Sequence, residues 1–131
     1  MIVLDTHIWV NWILLGETSL PRPILAAMDS QSSMAISAIS CFEVSLLVKQ
    51  RKLEFPIPVD EWFSEALSGS GVECLPVTCE IAQQSVALQN AHKDPADRII
   101  FATAIVHDAL LASVDSIFPA YPEIIGRLIA R

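Results

Sequence analysis

The sequence has 131 residues, of which 53% are hydrophobic and 18% charged, with a formal net charge of −7. That acidic balance argues against a broad electrostatic coat for nucleic-acid phosphates, and no run reaches the ~18 uninterrupted apolar residues of a membrane span. The length predicts one domain over residues 1–131, able to bury about two-thirds of its unfolded surface. The surplus of apolar residues implies a patch held against another chain.

Ile2-Val3-Leu4 is a short apolar run of strand type, followed at once by Asp5. Thr6 is the expected N-cap of the helical pattern Ile8 to Ile13, in which Trp9 and Trp12 read first as core and second as a partner surface. Asp5 and His7 interrupt the run and no basic segment precedes it, so it does not read as a secretory leader. Gly16 to Ser19 is a turn, and Pro21-Arg22-Pro23 opens a short helix to about Met28. Met34 to Ser37 is a second strand. Ser40 then starts a helix to about Lys52, with Ser40-Cys41-Phe42-Glu43 matching the capping box.

Phe55 to Pro58 breaks the chain. Val59 or Asp60 opens the next helix, which Gly69-Ser70-Gly71 ends. Val72 to Val77 is a third strand, weakened by Pro76. Thr78 caps a helix to about Asn90, and Pro95 sits in the first turn of another to about His107. Leu110 to Val114 is a fourth strand ending on Asp115, and the tail around Ile124 to Ile129 suits either a fifth strand or a final helix. Strands alternating with helices imply right-handed crossovers and a parallel sheet. The predicted fold is α/β, a three-layer α/β/α sandwich around a short parallel sheet of four to five strands. Cys41, Cys74 and Cys79 are odd in number and lack CxxC spacing, which fits reduced thiols in the cytoplasm.

Asp5 and Asp115 each follow a strand, and in a parallel sheet both strand ends lie at one edge, where ligands bind in open α/β folds. Asp97 in the first turn of the helix after Pro95, and Glu43 in the first turn of the helix after the second strand, would share that rim. Carboxylates so gathered raise each other's pKa, and a divalent cation removes the conflict. Mg2+ takes one or two carboxylates, waters and phosphate oxygens, and Mn2+ also suits an all-oxygen site. Such an ion acidifies a bound water and stabilises the leaving oxyanion of a phosphodiester. Plainer readings stand beside this one. The capping box accounts for Glu43 alone, and Asp94 suits the cap before Pro95.

The segments Leu4-Asp5-Thr6-His7, Glu43 opening a helix, His92-Lys93-Asp94-Pro95-Ala96-Asp97-Arg98 followed by Ala102-Thr103-Ala104, and Ser113-Val114-Asp115 together resemble the PIN domain, and within it the VapC-type toxins. The resemblance implies a homodimeric, metal-dependent endoribonuclease, the toxin of a VapBC-type pair, blocked by a small VapB-type antitoxin. It implies Asp5, Glu43, Asp97 and Asp115 as the catalytic and metal-holding quartet around Mg2+ or Mn2+, with Thr6, Asp94 and Ser113 as auxiliary residues. Two alternatives stay open. One is a PIN-domain nuclease of RNA processing without toxicity. The other is a module of another class, receiving phosphate or binding without catalysis.

Overall fold

Four strands pair side by side, all parallel, in the order β3-β2-β1-β4. They are β1 (Ile2–Leu4), β2 (Met34–Ser37), β3 (Val72–Leu75) and β4 (Leu110–Ala112). The computed structural model of the chain describes residues 1–88, 94–116 and 118–129. The helices between the strands are α1 (Thr6–Leu15), α2 (Arg22–Ser30), α3 (Ala38–Lys49), α4 (Val59–Ser68), α5 (Cys79–Ala87) and α6 (Pro95–Val106). None is long and apolar enough to cross a membrane.

Successive side chains of a strand face opposite sides, and here they separate two cores. Ile2 and Leu4 of β1, with Ile36 of β2, pack against Ile8, Trp9, Val44 and Trp62. Val3 and Ala35, one position off, pack against Ile100, Phe101, Tyr121 and Ile124. A sheet apolar on both faces needs a helical layer on each, which gives the three-layer sandwich expected. The first core includes stacked Phe55 and Trp62 rings, with centroids 4.1 Å apart. Trp9 is wholly buried there, as its core reading requires.

Several boundaries move. Asp5, not Thr6, caps α1, because its carboxylate reaches the His7 N–H and Thr6 already lies in the helix. Ser37, not Ser40, caps α3 through a bond from the Ile39 N–H. The helix therefore starts three residues early, Glu43 falls in its second turn, and the capping-box reading is wrong. The cause is that Ser37 and Ser40 offer equivalent caps and only the end of β2 chooses between them. β3 stops at Leu75, before Pro76 removes a ladder donor. β4 stops at Ala112, so Asp115 lies three residues past the strand rather than on its end. α3 ends at Lys49, short of Lys52, and α5 ends at Ala87; the Asn90 limit lies outside the described residues.

The tail is neither full strand nor helix. The Leu111 N–H donates to the Arg127 carbonyl at 2.9 Å and the Ile129 N–H donates to the Leu111 carbonyl at 3.1 Å. Together they make a single parallel bridge between Leu111 and Leu128, a rudimentary fifth position beside β4. All three cysteines are free thiols, as expected.

Candidate active site

The inner strand β1 ends in the interior, so the residue after it must be satisfied without water. Asp5 is 4% exposed. Its Oδ1 accepts the His7 N–H at 2.7 Å, capping α1. Because Leu4 pairs with Ala112, the residue after β4 stands beside Asp5, and Oδ2 accepts the Ser113 hydroxyl at 2.5 Å. Burial pushes the Asp5 carboxyl above its ordinary value; the Ser113 hydroxyl, the His7 N–H and the His7 charge pull the other way. The His7 ring is 77% exposed and 3.9 Å from Oδ1, so solvent screens that attraction.

Ser113 also works in the other direction. Its Oγ accepts the Asp115 N–H at 3.1 Å, a local serine turn that fixes the backbone carrying Asp115. One hydroxyl thus ties the buried acid after β1 to the chain that presents the acid beyond β4.

A second arm leaves from Thr6. Its hydroxyl donates to Oε1 of Glu43 at 2.6 Å and lies 2.7 Å from the Ser40 hydroxyl. Glu43 is partly buried, and burial is the largest reason its carboxyl sits above the ordinary value. The Thr6 hydroxyl lowers it, the Asp94 charge raises it, His7 lowers it and the Asp5 charge raises it. Asp5 and Asp94 therefore lie within electrostatic reach of Glu43.

The third contribution comes from α6. Asp94 is its N-cap and accepts the Ala96 N–H at 2.9 Å, so the capping role expected of it is present. Asp97 lies in the first turn, on a helix that packs against β1, β2 and α3. Arg98 donates from Nε to the Ser85 carbonyl at 3.0 Å and from Nη2 to the Leu88 carbonyl at 2.8 Å. This fork holds the start of α6 to the end of α5.

The structure thus forms two hydrogen-bonded sets, Asp5 with Ser113 and the Asp115 backbone, and Thr6 with Glu43 and Ser40, which among the described residues meet only through the peptide bond between Asp5 and Thr6, and the Asp94 charge acts on Glu43. Asp97 stands at the start of α6. Among the described residues, no three carboxylate, thiol or imidazole groups form a ready-made metal cage. Sequence reasoning missed Ser40. Its signal is the three-residue spacing to Glu43, which places both on one face of a helix but matches a capping box equally well. His92 and Lys93 lie outside the described residues.

The model of the PIN domain matches residues 2–124. The chain belongs to the PIN domain family. It is 32% identical over 115 residues to "Ribonuclease VapC22" of Mycobacterium tuberculosis (strain ATCC 25618 / H37Rv), covering 87% of this chain and 86% of that protein. A toxin–antitoxin complex from Klebsiella pneumoniae is similar with a TM-score of 0.67 and 25% identity, over 99% of this chain and 97% of that one. VapBC2 from Rickettsia felis, solved bound to a DNA fragment from their promoter, has a TM-score of 0.70 over 98% of this chain and 97% of that one; at 21% identity this shows a shared fold. Every acid and hydroxyl named above lies within the matched span of the PIN domain, whereas the Leu128 bridge lies beyond it.

Proposed function

We propose that this PIN domain is a divalent-metal-dependent endoribonuclease, the toxin of a VapBC-type toxin–antitoxin pair, acting in the cytoplasm with residues 1–131 as one catalytic unit. The observation that carries this reading is the pair of hydrogen-bonded arms that leave the adjacent residues Asp5 and Thr6, one to Ser113 and Asp115 and one to Glu43. Similarity to a named ribonuclease over most of its length supports the reaction class, and similarity to a toxin–antitoxin complex supports the biological role.

Asp5, Glu43, Asp97 and Asp115 are the proposed catalytic acids and metal ligands. The donor set fits a hard cation, because carboxylate oxygens are what Mg2+ prefers and Mn2+ accepts. Asp5 and Glu43 both sit above the ordinary carboxyl range through burial, a conflict that a neighbouring cation relieves. When bound, Mg2+ or Mn2+ supplies an acidified water and stabilises the departing oxyanion of an RNA phosphodiester. The chain's own residues hold the geometry. Ser113 orients the Asp5 carboxylate and the Asp115 backbone together. Thr6 engages Oε1 of Glu43, and among the described residues Oε2 has no hydrogen-bond partner. Asp94 is auxiliary, since it caps α6 and adds negative charge beside Glu43.

Two surfaces suit the partners of such a toxin. A groove of about 500 Å³ between α1 and α4, lined by Ile13, Leu14, Ile57 and Trp62 among others, has the apolar character to take a cognate VapB-type antitoxin segment. Phe42 and Leu46, 60% and 40% exposed, lie four residues apart on α3 and suit a homodimer contact. The decisive experiment incubates purified protein with RNA and Mg2+ or Mn2+, beside Asp5→Asn and a chelator control. Cleavage should need both the metal and Asp5, and expression of the chain alone in a bacterium should arrest growth. Cleavage that continues unchanged in chelator or in Asp5→Asn would overturn the reading.

A further inference from the structure

Ser40 lies inside α3 and is fully buried. A helical serine or threonine commonly turns its hydroxyl back onto its own helix. Ser85 does so toward the Ala82 carbonyl at 2.7 Å, and Thr103 toward the Ile99 carbonyl at 2.7 Å. Ser40 departs from that habit. Among the described residues its hydroxyl meets the Thr6 hydroxyl, at 2.7 Å and across 34 residues of chain.

The protons on this chain of oxygens can be assigned. A hydroxyl carries one proton, and an ionised carboxylate only accepts. The 2.6 Å contact between Thr6 and Glu43 therefore uses the Thr6 proton. Ser40 must then donate to Thr6, which gives a one-way relay from Ser40 through Thr6 to Glu43. Each bond in such a relay polarises the next. Without Ser40, the Thr6 oxygen loses its donor and its hydroxyl is freer to rotate away from Glu43.

We propose that Ser40 is a positioning residue that acts through Thr6 to hold the Glu43 carboxylate at the acidic rim. Its consequence for RNA cleavage rests on the nuclease reading above. Among the described residues the hydrogen bond of the Ser40 hydroxyl goes to Thr6 and not to a rim acid, so its effect on Glu43 passes through the threonine.

The test is a double-mutant cycle with Thr6→Val, read in three ways. They are Mn2+ affinity by electron paramagnetic resonance, single-turnover RNA cleavage, and the 13C resonance of the Glu43 carboxyl without metal. Ser40→Ala should weaken Mn2+ binding and slow cleavage about 10-fold, as loss of a ligand's outer support does, with the KM for RNA unchanged. It should shift the Glu43 resonance. Ser40→Thr, which keeps the hydroxyl, should restore all three readouts. In the Thr6→Val background, Ser40→Ala should add nothing. Ser40→Cys keeps the volume but donates weakly, and gives the same reading if Ser40→Ala does not fold. Wild-type values in Ser40→Ala, or effects that simply add to those of Thr6→Val, overturn the proposal. Should wild-type protein neither bind Mn2+ nor cleave RNA, the nuclease reading falls, and the Glu43 resonance still decides whether Ser40 acts on it.

Discussion

The Ser113 hydroxyl donates to Oδ2 of Asp5 although 108 residues of chain separate the two. The contact exists because β3 connects to β4 across the sheet, so that the fourth strand lands beside the first. The chain leaves β1 toward β2 on one side, while β4 closes the other. Where neighbouring connections part in this way, a parallel sheet opens a crevice at its carboxyl edge. Asp5 and Ser113 stand at that edge, each directly after its strand.

Removing that hydroxyl should therefore damage both the fold and the chemistry. Ser113→Ala leaves the buried Asp5 oxygen and the Asp115 N–H without this partner, a defect worth about 1–3 kcal/mol for each buried group left unpaired. Urea unfolding should show the lower stability, and RNA cleavage should fall by about 10-fold or more, the scale of a lost ligand support. Ser113→Thr retains the oxygen and should keep most of the activity. An alanine variant as stable and as active as the parent would show that the bond is incidental.

Asp5→Asn should separate function from stability. The folded Asp5 carboxyl sits above its ordinary value because of burial, so the folded state holds that proton more tightly than the unfolded chain does. As pH rises from the ordinary carboxyl range through the raised folded value, the wild type loses stability from this group. Asparagine has no such penalty and caps a helix about as well as aspartate. In chelator at neutral pH, Asp5→Asn should unfold at a higher urea concentration than wild type. The gap should close as pH falls below the ordinary carboxyl range. Activity should drop by at least about 100-fold, the scale of losing a main transition-state contact. A variant less stable than wild type at neutral pH would count against burial as the source of the shift.

Much of this site was legible in the sequence. The β1 run followed by Asp5, the Pro95 helix with Asp97 in its first turn, and the strand before Ser113 and Asp115 are local patterns, and periodicity reads local patterns. What stayed hidden depended on where one segment meets another. Ser37 and Ser40 cap equally well on paper, and only the length of β2 decides. That choice moved Glu43 from a cap to the second turn of α3, where Thr6 reaches it. The Leu128 bridge was undecidable for the same reason, since one parallel pairing leaves no repeating pattern.

The exposed pair on α3 gives a prediction about assembly. Phe42 and Leu46 border a shallow cavity of about 250 Å³ with Ser45 and Lys49. Exposed aromatic and aliphatic side chains one helical turn apart are suited to burial between copies. Phe42→Glu should convert a dimer to a monomer in light scattering while leaving the thermal midpoint of the monomer fold close to that of the parent. If the parent runs as a monomer at tens of micromolar, or Phe42→Glu remains dimeric, this face of α3 is not the contact.

Arg98 offers the sharpest test of how α6 is placed. Its guanidinium spans the Ser85 and Leu88 carbonyls at the end of α5, groups that a helix terminus leaves without intrahelical partners. Charge-assisted bonds of this kind contribute about 1.5–3 kcal/mol. Lysine keeps the charge but has no planar fork, so it should satisfy one carbonyl at a time. Arg98→Lys should lower stability by about 1–2 kcal/mol in urea unfolding. It should also slow cleavage, because Asp97 rides on the turn that the fork holds. Mn2+ binding should weaken alongside the rate if the turn has shifted. Arg98→Lys with unchanged Mn2+ affinity and rate but reduced stability would confine the arginine to joining α5 and α6.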